Sequence, residues 1–102
     1  MDKIFTNDNL CGAEVLLQAH ELITGKRQAS YAHPSKDYLQ TRDIFEAMTG
    51  VSLTVEQAIL FMVAVKLSRL RTALASDQID CRDTIIDTAG YIGCLAMVLD
   101  TK

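Results

Sequence analysis

The chain has 102 residues, one domain's worth, with 49% hydrophobic residues, ten Lys and Arg, thirteen Asp and Glu, and a net charge of −3. It carries no block of Lys and Arg, which argues against capture of a nucleic-acid backbone as its main business. The longest apolar run, residues 58–65, falls far short of a membrane span. Three cysteines without metal-ligand spacing, and an N-terminus without the apolar run of a secretory signal, predict free thiols in the cytoplasm. A mean hydropathy of +0.14 is high for so small a chain. Its core is thin, so another subunit is expected to cover some of the apolar surface.

Taken in order, Asn7 or Asn9 can cap a first helix over about residues 8–24, with Gly25 placed to end it in the left-handed conformation. Its inner stripe would be Leu10, Ala13, Leu16, Leu17, His20 and Ile23. The polar segment GKRQASYAHP follows and holds the one proline, Pro34, which pushes His33 towards extended conformations. Ser35 is expected to cap a second helix, about 35–49, with an inner stripe of Tyr38, Leu39, Ile44, Phe45 and Met48, stopped by Gly50.

Thr54 and Gln57 have capping-box spacing and open a third helix over about 55–74. From Ala58 to Val65 this helix is apolar on every side, as expected of a central helix or a subunit interface. Met48, Met62 and Met97 sit at core spacings. Asp80 is a good cap for a fourth helix, about 81–99, with a stripe of Ile85, Ala89, Ile92, Ala96 and Leu99. Gly90 and Gly93 within it cost about 1 kcal/mol each relative to Ala, so they are expected where another backbone or a ligand comes close. The fold class is all-α: a compact bundle of about four helices, one domain over 1–102, expected to be oligomeric.

Two sets of residues could carry chemistry. Asp83 and Asp87 share a helical face one turn apart and repel unless compensated. A divalent cation such as Mg²⁺ would compensate them if further carboxylates joined it; an ion-pair network with Lys66 and Arg69 would do so equally well. The second set is the polar segment, where Lys26, Arg27, Tyr31 and His33 supply cations, a ring for stacking and donors suited to a phosphorylated ligand. A solvated connecting loop is the plainer reading. No nucleophile elbow, Walker loop, dinucleotide fingerprint or zinc spacing is present.

Four local motifs recur together in Gly25-Lys26-Arg27, Tyr31-Ala32-His33-Pro34, Lys66-Leu67-Ser68-Arg69 and Asp83 through Asp87 to Gly90-Tyr91. In this the sequence resembles a group of small all-helical proteins of unknown function from phages and prophages, whose pattern has glycine where Ala32 stands. More distantly it resembles the MazG-like all-α nucleotide pyrophosphohydrolases, oligomeric bundles whose helix-borne carboxylates hold Mg²⁺ against a nucleoside triphosphate. Their paired Glu-x-x-Glu and Glu-x-x-Asp signature is absent here. That weighs against hydrolysis and leaves binding of a nucleotide-like ligand.

The resemblance implies a phage accessory protein in the host-cell cytoplasm, a homo-oligomer binding a nucleotide or related phosphorylated small molecule. Lys26, Arg27, Tyr31 and His33 would meet the ligand above a polar centre of Lys66, Arg69, Asp83, Asp87 and Tyr91. Asp83 and Asp87 would be the metal ligands if Mg²⁺ takes part, and any catalysis would be of the Mg-dependent pyrophosphohydrolase kind. The rival expectation is a protein-binding module, such as an inhibitor of a host factor or defence complex.

Overall fold

The computed structural model describes residues 11–25, 33–76 and 80–101. Four helices run through them: α1 (Cys11–Thr24), α2 (Pro34–Thr49), α3 (Val55–Ala75) and α4 (Arg82–Asp100). No strand occurs among the described residues, so the chain is all-α, as expected. Leu10 and the proposed caps Asn7 and Asn9 lie outside the described residues.

Local chemistry explains most of the helix ends. At α3 the Gln57 amide donates to the Thr54 hydroxyl at 3.0 Å and the Thr54 amide donates to the Gln57 side chain at 2.9 Å. That is the reciprocal capping box the spacing predicts. α2 ends at Gly50, whose φ of 77° is left-handed and whose amide donates to the Glu46 carbonyl.

Three caps differ from expectation. α2 is capped by His33, not Ser35: the Ser35 amide donates to His33 Nδ1 at 3.1 Å, and Pro34 takes the first helical position, where no amide is needed. Cys81, not Asp80, stands at the α4 N-cap, without a side-chain bond. Gly25 follows α1 without a positive φ. It stays close in to the helix, its amide donating to the Glu21 carbonyl at 2.7 Å, and a Cβ there would stand 2.6 Å from that oxygen.

α4 is the hub. It packs against α3, α1 and α2, while α2 also meets α3 and α1 touches α4 alone. Its fully buried stripe is Ile86, Gly90, Cys94 and Val98, one residue out of phase with the expected one. Of the expected stripe, Ile85 and Ala89 still pack partly buried against the core, while Ile92, Ala96 and Leu99 are exposed. α1 shows the same slip. Val15 and Ala19 are buried with Ile86, and Leu22, Ile85 and Ala89 pack partly buried against them, whereas Leu16, Leu17 and His20 face outward. On α2, Tyr38 and Phe45 turn inward, but Leu39, Ile44 and Met48 do not, so Met48 is not the packing residue its spacing implied.

The phase is set by closeness of approach. Ile23 of α1 lies over Gly90 and Gly93, where an added Cβ would meet its Cγ2 at 3.7 Å and its Cδ1 at 2.8 Å. The glycines therefore admit a neighbouring helix. Gly90→Ala adds a methyl at ordinary contact distance and removes a helix penalty. It should stabilise the domain by about 0.5–1 kcal/mol, read as a higher melting temperature. No change or a loss would mean that Ile23 cannot yield.

Candidate functional site

The strongest polar contact between helices lies at the α3–α4 seam. Lys66 Nζ donates to Asp87 Oδ2 at 3.1 Å, with the two side chains 16% and 29% exposed. The two turns of α3 before Lys66, Ala58 to Val65, are apolar, and Asp87 falls between Ile86 and the small turn around Gly90, so both charges sit at the edge of the core. The Lys66 and Arg69 face of α3 and the Asp83 and Asp87 face of α4 therefore do meet, through one member of each. Arg69 and Asp83 are exposed and form no ion pair with another described residue.

One turn beyond Asp87, Tyr91 packs edge-on against Tyr38 of α2, ring centroids 6.4 Å apart and planes at 70°. Burial pushes the Tyr38 phenol well above its ordinary range, and Tyr91, Cys94 and Asp37 reinforce this. Tyr38 is therefore a neutral hydrogen-bonding group, not a base. Burial, and then Asp37, also raises the Cys94 thiol, which keeps it protonated and a poor nucleophile. The sequence reading had placed Tyr38 in a packing stripe. Asp87 and Tyr91 are expected on one face; the missed signal is Cys94, three residues further on, which adds a thiol to the carboxylate and the phenol there.

His33 is exposed, and its Nδ1 is engaged by the Ser35 amide and lies 2.9 Å from the Ser35 hydroxyl. Its visible work is to start α2. Lys26, Arg27 and Tyr31 lie outside the described residues, but the flanks of their segment do not. On one side Ile23 rests on Gly90 and Gly93, and on the other Tyr38 rests on Tyr91. Both flanks border the same turn of α4, next to the Lys66–Asp87 pair. A separate cleft of about 390 Å³, lined by Ser35, Arg42, Thr54, Glu56, Val98 and Thr101 among others, opens near the other end of α4. Arg42 there is drawn to Asp43 at 3.1 Å.

As a metal site the described residues are incomplete. Mg²⁺ takes near-octahedral oxygen coordination. Asp87 is already engaged by an ammonium, Asp83 stands in solvent, and no group of three His, Cys, Asp or Glu that could hold a metal occurs among the described residues. No helix of the described residues is long and apolar enough to cross a membrane.

The fold and site thus define a small all-α domain with a polar seam between its two longest helices. The chain belongs to the family described as "Domain of unknown function (DUF6378)", which matches residues 14–99. It is also similar to the Gene 55 protein of Mycobacterium phage D29, 24% identical over 86 residues, which is 84% of this chain and 54% of that protein. The chain therefore spans about half the length of this phage relative. No solved structure matches it. These findings bear out the likeness to phage proteins of unknown function and show no relation to the MazG-like enzymes.

Proposed function

We infer that the chain is a phage accessory protein that binds a nucleotide or related phosphorylated small molecule as a homo-oligomer in the host cytoplasm. The observation that carries this reading is the common border. The segment holding Lys26, Arg27 and Tyr31 is flanked on both sides by contacts to one turn of α4, the turn that bears Tyr91 and adjoins Lys66–Asp87. Cations from that segment, with Arg69, would meet phosphate, and the Tyr91 and Tyr38 rings offer an aromatic edge for a base. Asp87 would hold Lys66 in place, and Asp83 would be free to join a metal that the ligand itself brings. Hydrolysis is no part of the proposal, because the described carboxylates do not converge.

A thermal-shift screen against nucleotides, cyclic nucleotides and sugar phosphates, with and without Mg²⁺, tests the proposal. A ligand at a hundred times its Kd should add about 2.7 kcal/mol, a rise of several degrees for a domain this size. The shift should vanish in Lys26→Ala/Arg27→Ala. A flat screen sinks the small-molecule reading.

The second reading is a protein-binding module, favoured by the exposed Leu16 and Leu17 on α1 and Ile44 and Met48 on α2. Under it, the Lys26 and Arg27 changes should be silent, and Leu16→Asp/Leu17→Asp should abolish capture of a host protein.

A further inference from the structure

Along α3 the residues Leu60, Ala64, Leu67, Arg71 and Leu74 recur at steps of four, three, four and three, the spacing of a coiled-coil seam. This stripe is not the one that packs inside the chain: Ala58, Ile59 and Val63 are buried, with Lys66 turned to α4. The seam points elsewhere. Leu60 is 48% exposed, Leu67 48% and Leu74 67%, with Ala64 and Arg71 exposed between them. Among the described helices α3 touches only α2 and α4, and its contact with α2 includes Phe45 and Phe61, whose rings are 5.9 Å apart and which lie beside the seam. Nothing among the described residues covers it.

We propose that this seam is where a second copy of the chain docks, α3 against α3, antiparallel about a two-fold axis at Leu67. The pattern is self-complementary in that arrangement. Leu67 meets its own mate, Leu60 meets Leu74, and the small Ala64 lies within one residue of the level of Arg71, leaving room for its long aliphatic stem while the guanidinium runs out to solvent. A parallel pairing would set Arg71 against Arg71 and Ala64 against Ala64, joining like charges at one level and leaving a hole at another. The area agrees with a dimer: a standard interface takes about 800 Å² from each partner, and from Leu60 to Leu74 this face runs about 21 Å along the helix with its three leucines half-exposed or more. The proposal rests on the oligomeric part of the function proposed above and not on its ligand.

The test is molar mass by light scattering on a sizing column, for the full chain and for Leu67→Glu, with helicity by circular dichroism. The native chain should run at twice 11.3 kDa. Leu67→Glu should run at 11.3 kDa with unchanged helicity, because the side chain is half-exposed within one copy. A second measurement does not depend on that variant folding well. Leu67→Cys should give a covalent dimer on oxidation that the native chain does not form. Leu60→Cys should not, because its two copies would stand about 21 Å apart along the helices. A native mass of 11.3 kDa overturns both this surface and the oligomeric part of the proposed function. A dimer that survives Leu67→Glu overturns the surface alone, and cross-linking through Leu60→Cys overturns the antiparallel pairing. No ligand enters these measurements, so a flat thermal-shift screen leaves them untouched.

Discussion

Ile59→Ala should lower stability by about 2–5 kcal/mol, the largest loss expected of any single truncation in α3. Among the described residues Ile59 is the one large side chain with no exposed surface, held on the face of α3 that carries Ala58 and Val63. Removing three carbons there forfeits their transfer energy and leaves a space that two rigid, closely packed helices cannot fill. A domain of 102 residues has about 5–15 kcal/mol in all, so the loss is a large fraction of it. Urea unfolding should show a lower midpoint with an unchanged slope. On heating, the midpoint should fall by roughly 10–30 °C. Leu60→Ala next to it is the control. Both truncations are made on the Leu67→Glu background, which keeps the copies apart; there Leu60 is half-exposed, so its truncation should cost far less. Equal losses at the two positions would show that the packing face of α3 has been misassigned.

Asp87→Ala should destabilise by about 1–3 kcal/mol, because it strands the largely buried Lys66 ammonium without a counter-charge. The cost stays below that of a fully buried pair, since Lys66 can swing its head towards water on a long apolar stem. The double variant Lys66→Met/Asp87→Leu should return close to the native stability, because it removes both charges and keeps the volume. A double-mutant cycle measured by urea unfolding therefore separates the pair's attraction from the penalty of orphaning one member. If Asp87→Ala is neutral, Lys66 reaches solvent freely and the pair is no fixed feature of the seam. The double variant also serves the functional question. It should keep the fold and lose any ligand-dependent thermal shift, whereas a purely structural pair would leave that shift in place.

The charged residues were partly legible in advance. The four-residue spacing of Asp83 and Asp87 and the three-residue spacing of Lys66 and Arg69 put each set on one helical face. Which members would meet depends on the rotation of two helices about their axes, and no local pattern encodes that. Lys66 and Asp87 paired; Arg69 and Asp83 stayed in solvent. The spacing of α2 puts Tyr38 in an inner stripe with Leu39, Ile44, Phe45 and Met48, and its contact with Tyr91 arises only where α2 crosses α4.

What the sequence determined by itself is the number of helices and where most of them start and stop. Those features rest on bonds between residues three or four apart, as in Thr54 with Gln57 and Gly50 with Glu46. What only the tertiary structure decided is which side of each helix faces inward. In α1 and α4 apolar residues surround much of the helix, so periodicity permits more than one stripe, and the larger side chains drew the expectation towards Leu16, Leu17, Ile92 and Leu99. The fold chose Val15, Ala19, Ile86 and Gly90 instead, because two helix backbones approach closely only across small or β-branched residues, and the larger leucines were left facing outward.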